Sequence, residues 1–117
     1  MLKTIPELIS EIKQTIQTIS AKDAYLFAQE KKSLFIDVRE PQEVLESPVS
    51  KSVNLPRGIL EMNIAKCSTD ENHPIFLHCA SGGRASFVAD QLNRLGYRNV
   101  WAITCSHNEV CSAQKQN

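Results

Sequence analysis

The chain has 117 residues, 42% of them hydrophobic, with thirteen basic and thirteen acidic side chains. That is enough for one domain with a genuine core, and too apolar for disorder throughout. The balanced charge has no Lys/Arg block, which argues against a nucleic-acid binder, and no apolar run is long enough to cross a bilayer.

The N-terminal Met1-Leu2-Lys3-Thr4-Ile5-Pro6-Glu7 has no continuous apolar stretch of the signal-peptide type. A cytoplasmic protein is therefore expected, with Cys67, Cys79, Cys105 and Cys111 as thiols rather than a disulfide framework. They form no Cys-x-x-Cys pair and no Cys/His set with zinc spacing, so no metal is expected.

Thr4-Ile5-Pro6-Glu7 has the form of a capping box. Ile5, Leu8, Ile9, Ile12 and Ile16 recur near helical period, so residues 1–14 read as an amphipathic helix packed on the domain. Thr15 to Ile19 alternates polar and β-branched residues and suits a short edge strand. Ser20-Ala21-Lys22-Asp23 looks like a helix start, with Ala24, Phe27 and Ala28 on one face. Leu34-Phe35-Ile36-Asp37-Val38 is a nearly all-apolar strand, as expected of one covered on both faces. Pro41 can open a short helix to about Glu46, which Ser47-Pro48 ends.

Ser52 to Pro56 reads as a brief strand and Arg57 to Ala65 as one helix. Asp70-Glu71-Asn72-His73-Pro74 is a polar loop. A strand over 75–78 leads through a loop into a helix from about Arg84 to Leu95, which Gly96 closes. Asn99 to Ile103 is the last strand. The stretch after Ser106 is polar without clear pattern. The main domain is expected over 15–110, with 111–117 as a polar tail.

Strands alternating with helices predict an α/β domain: a parallel sheet of about five strands with helices on both faces. Ligands of such sheets bind beyond the carboxyl ends of the strands. Cys79 stands at such an end, in His78-Cys79-Ala80-Ser81-Gly82-Gly83-Arg84. A thiolate is far more nucleophilic than a thiol, and a helix N-terminus and an arginine both favour ionisation. Gly82 and Gly83 are expected to adopt φ values closed to other residues and to turn backbone N–H groups inward as an anion nest. Arg84 adds a fixed cation with several donors.

Four blocks carry a resemblance: 34–41 (Leu-Phe-Ile-Asp-Val-Arg-Glu-Pro), 53–58 (Val-Asn-Leu-Pro-Arg-Gly), 78–85 (His-Cys-Ala-Ser-Gly-Gly-Arg-Ala) and 95–100 (Leu-Gly-Tyr-Arg-Asn-Val). In order and spacing they resemble a single-domain rhodanese. The resemblance implies a sulfurtransferase, in which a cysteine thiolate takes the sulfane sulfur of a donor such as thiosulfate and becomes a persulfide. A thiophilic acceptor, cyanide or a thiol, then removes it. Cys79 matches the sulfur carrier. Ala80, Ser81, Gly82, Gly83 and Arg84 match the loop that holds the persulfide, with Arg84 also attracting the anionic donor. The resemblance implies no organic cofactor, a small anionic donor as partner, and an acceptor that can be a protein thiol.

Two other classes stay open, a non-catalytic binding module of this fold and a cysteine phosphatase or arsenate reductase. Cdc25-like phosphatases need five residues between cysteine and arginine. Here there are four, a cradle better sized for one sulfur atom. The segments 47–52 and 104–107 depart from the usual rhodanese pattern. Asp37 and Arg39 are expected to pair near the sheet's carboxyl edge, His78 to be a packed histidine, and Trp101 to be core.

Overall fold

The structure is a computed structural model and describes residues 1–116. Five parallel strands form one sheet in the order β1-β5-β4-β2-β3. They are β1 (Gln17–Ile19), β2 (Leu34–Asp37), β3 (Val53–Asn54), β4 (Ile75–His78) and β5 (Val100–Ile103). The central β4 is buried along its whole length. It pairs with β2 from Leu34↔Ile75 to Asp37↔His78, and with β5 from Ile75↔Val100 to Leu77↔Ala102. The apolar runs of β2 and β4 are what a strand flanked on both faces requires.

The helices are α1 (Ile5–Lys13), α2 (Ala21–Glu30), α3 (Pro41–Glu46), α4 (Leu60–Asn63), α5 (Gly83–Leu95) and α6 (His107–Lys115). On one face Leu60 and Ile64 join Ala85, Val88, Ala89 and Leu92 of α5 over Ile36, Ile75 and Leu77. On the other, Ala21, Ala24 and Tyr25 of α2 meet Val110 and Ala113 of α6 over Phe35, Phe76 and Ile103. The Tyr25 and Phe35 rings stack at 4.4 Å.

Local chemistry sets the ends of these elements. Thr4 Oγ1 accepts from Glu7 N at 3.2 Å and Ser20 Oγ from Asp23 N at 3.1 Å, each satisfying a free N–H of a helix start. Gly96 ends α5 at φ +108°, in the left-handed region.

Two expectations are corrected. The stretch 57–65 is not one helix. It is a 3₁₀ turn over Arg57–Ile59, then α4, then a second 3₁₀ turn over Ile64–Lys66. The segment after Ser106 is not patternless. It is α6, opened by Ser106 Oγ accepting from Glu109 N and Ser106 N donating to Glu109 Oε1. Val110 and Ala113 on α6 are buried, so the helix runs on into the expected tail and Ala113 anchors that part against the domain. Asn117 lies outside the described residues.

Candidate active site

The strand β4 runs straight into the cysteine. Cys79 follows its last residue and is only 1% exposed. The chain then turns through Gly82 into α5. Cys79 Sγ accepts from Gly82 N at 3.1 Å and from Ala85 N at 3.4 Å. These N–H groups belong to the helix start, where backbone donors have no partner within the helix and anions are favoured.

Only one of the two glycines has the special conformation expected of both. Gly82 sits at φ +95°, and a Cβ there would come within 3.0 Å of Thr104 Cα and 3.2 Å of Thr104 O. Gly83 has no positive φ. It is the first residue of α5, and a Cβ there would meet only the side-chain end of Ile9 at 3.3 Å. The loop is tied down from several sides. Ser86 Oγ donates to Gly82 O at 2.7 Å, and His107 N donates to Ala80 O at 2.9 Å. Thr104 and His107, in one of the two divergent segments, thus form a wall of the loop. A cavity of about 370 Å³ lies beside it, lined by Ser81 and Gly83 and by Pro6, Ile9, Ser10 and Lys13 of the α1 region.

The arginines are engaged. Arg84 grips Glu43 with both arms, Nη1 to Oε1 at 2.6 Å and Nη2 to Oε2 at 2.9 Å. Glu43 also accepts from Glu40 N at 3.0 Å. Hydrogen bonding to Arg84 first, then that backbone bond, draws the Glu43 pKa down to about 2. The bridge is about one-third exposed on both sides. Arg39 and Asp37 form the expected pair, buried at 3% and 1% exposure and joined at 2.8 Å. Arg39 also donates to the Ser47 and Glu43 carbonyls.

His78 is fully buried, and its Nε2 lies 2.8 Å from Ser52 Oγ. Its Nδ1 is buried without a partner. Burial, ahead of the opposing pull of Asp37, pushes the His78 pKa down to about 4, so the ring is neutral near neutral pH. It is a packed histidine, as expected. Trp101 is half-buried against the α2/α6 face and donates to Asn99 Oδ1.

Of the residues singled out in the sequence, Gly82 donates to the Cys79 sulfur, whereas the Arg84 guanidinium is turned to Glu43. Ala80, Ser81 and Gly83 complete the turn, but none of their N–H groups is bonded to the sulfur. Sequence reasoning missed Glu43, Ala85 and Ser86, and marked Thr104 and His107 only as part of a segment that departs from the family pattern. Ala85 N was within reach of inference, because a helix start exposes the N–H of its third residue as readily as the first. The others are distant in sequence or structural in type.

A family model of the rhodanese-like domain matches residues 20–113. The chain belongs to that family. A Schizosaccharomyces pombe mitochondrial protein named for thiosulfate sulfurtransferase activity is 35% identical over 89 residues, covering 66% of this chain and 62% of the relative. The thiosulfate sulfurtransferase PspE of Escherichia coli is 27% identical over 66 residues, 56% of this chain and 64% of that one. The rhodanese-like chain thus spans somewhat under two thirds of the length of these relatives.

Among solved structures, a Rhodopseudomonas palustris protein described as a possible tyrosine phosphatase superposes with a TM-score of 0.81 at 21% identity, covering 97% of this chain and 92% of its own. The polysulfide-sulfur transferase homodimer of Wolinella succinogenes superposes with a TM-score of 0.72 at 24% identity, covering 88% and 78%. At these identities the structures establish the shared fold, a parallel sheet with helices on both faces. Among the described residues no helix is long and apolar enough to cross a membrane.

Proposed function

We propose that this rhodanese-like domain is a sulfurtransferase that carries sulfane sulfur on Cys79. The carrying observation is the pair of backbone N–H groups, from Gly82 and Ala85, that converge on Cys79 Sγ inside a six-residue Cys-x4-Arg loop. Two aligned donors stabilise sulfur as an anion, and charge-assisted bonds of this kind contribute about 1.5–3 kcal/mol each.

In the first half-reaction the Cys79 thiolate attacks the sulfane sulfur of a donor such as thiosulfate. A new S–S bond forms, the donor's own S–S bond breaks, and sulfite leaves with the electron pair. Cys79 then holds a persulfide, and its outer sulfur lies where the loop's N–H groups can take its charge. In the second half-reaction a thiophilic acceptor, cyanide or a thiol, attacks that outer sulfur and the Cys79 thiolate departs. Arg84, fixed by Glu43, holds the loop mouth in shape and adds positive potential over the site.

The reading is tested by steady-state thiocyanate formation from thiosulfate and cyanide. Wild type should turn over with kinetics in which each substrate reacts in turn, and Cys79→Ser should be inactive. Equal activity in both would refute it.

A further inference from the structure

The structure leaves a question that the loop alone does not answer: which cation meets an incoming anion. Arg84 is already held by both oxygens of Glu43. Arg39 is buried and joined to Asp37. Each already has a carboxylate partner whose charge offsets its pull on another anion.

Arg57 differs. It is exposed, and none of the ion pairs found among the described residues includes it. Its guanidinium carbon lies 4.4 Å from the centroid of the Phe87 ring. Phe87 is three residues beyond Arg84 on α5, so the two side chains share one face of that helix. The backbone brings Arg57 to the same edge. Arg57 N donates to Val38 O at 3.1 Å, and Val38 N donates to His78 O at 2.9 Å. Two hydrogen bonds therefore link Arg57 to the residue before Cys79, at the carboxyl edge of the sheet. A guanidinium lying on an aromatic face is steadied there, and the N–H groups around its rim still point outward. That edge matches the paired oxygens of an oxyanion.

We propose that Arg57, steadied by Phe87, is the cation that draws a small oxyanionic sulfur donor to the Cys79 loop and favours anionic donors over neutral ones. The donor's identity rests on the sulfurtransferase reading, whereas the preference for an oxyanion rests on Arg57 itself. A charge on the rim of a site acts mainly on capture and on its salt dependence. Phe87 is a positioning residue that acts through Arg57.

The test separates binding from turnover by titrating thiosulfate into Cys79→Ser protein at low salt, by calorimetry or NMR. Arg57→Gln in that background should weaken binding about three- to tenfold, with Arg57→Lys recovering much of the loss and Phe87→Leu intermediate. Raising the salt to about 0.3 M should shrink the difference, since Arg57 is exposed and its field is screened. In the protein that retains Cys79, the Arg57→Gln loss should fall on KM and leave kcat unchanged. Equal thiosulfate binding with and without Arg57, or no binding to either protein, would overturn the proposal. If thiosulfate binds through Arg57 but never leaves sulfur on Cys79, the anion site stands and the sulfurtransferase reading falls.

Discussion

Replacing Gly82 and Gly83 separately by alanine should give two different proteins, although the glycines are neighbours. At Gly82 the φ of +95° lies in the left-handed region, which costs a residue with a Cβ about 1–2 kcal/mol. The added methyl would also stand 3.0 Å from Thr104 Cα and 3.2 Å from Thr104 O. Those are backbone atoms at the end of β5 and cannot swing aside, so overpacking adds about 1–3 kcal/mol. The sum is about 2–5 kcal/mol, a large share of the ~5–15 kcal/mol that holds a typical domain together.

The Gly82 N–H would also move away from Cys79 Sγ, so activity should fall as well. At Gly83 the backbone is unstrained and the new methyl meets only Ile9 Cδ1 at 3.3 Å. That is the end of a flexible side chain on α1, and a cost below about 1 kcal/mol is expected. Urea denaturation of the two variants, with midpoints read at equal slope, measures the contrast. Equal destabilisation, or a loss below about 1 kcal/mol for Gly82→Ala, would refute the geometric account of the loop.

Three further outcomes are expected. His78 has its pKa pushed from 6.5 down to about 4 in the fold. The unfolded chain therefore binds the proton first as pH falls, and stability declines from about pH 6.5 to about pH 4 before levelling, by about 3 kcal/mol in all. Denaturation across that range should show the decline in wild type and a shallower one in His78→Gln. Glu43 has the same pH dependence from the opposite cause, its charged form being favoured in the fold. Its contribution is present above about pH 4.5 and is lost as pH falls toward about 2. Because the bridge to Arg84 is about one-third exposed, Glu43→Gln should cost no more than about 1 kcal/mol by the same assay at neutral pH. Val110 on α6 is fully buried, so Val110→Ala should destabilise by about 1–3 kcal/mol in thermal unfolding, whereas substitution of the exposed Asn108 on the same helix should have little effect.

The parts of the fold that could be read in the sequence are those with a local cause. Ile75-Phe76-Leu77 could only be a buried strand, and Gly96 could only end a helix, because each signal lies within a few residues of its effect. The 57–65 stretch was misread because its apolar residues, Ile59, Leu60 and Ile64, fit a helical face. Pro56 and Gly58 at its start, however, leave it only short pieces of helix. The helix α6 was missed for a different reason. Just two of its residues, Val110 and Ala113, are buried, so its apolar stripe is faint. The Ser106-His107-Asn108-Glu109 capping box was nonetheless present as a start signal.

The site divides along the same line. Cys79, Gly82 and Arg84 fall within six residues and announced themselves. Glu43 did not, because it meets Arg84 across 41 residues of chain and nothing in α3 marks it as more than a helix-start acid. Nor could spacing show that Gly83 would take an ordinary helical conformation. That depends on where α5 begins, and the start of α5 is held by contacts distant in sequence, such as His107 N to Ala80 O and the packing of Gly82 against Thr104.

The central claim is that Cys79 carries the sulfur. Protein incubated with thiosulfate, freed of small molecules and weighed intact by mass spectrometry should be heavier by one sulfur atom, and brief treatment with cyanide should remove it. Peptide mapping should place that atom on Cys79, and Cys79→Ser should gain nothing. An unchanged mass in wild type, or the same gain in Cys79→Ser, would contradict the account.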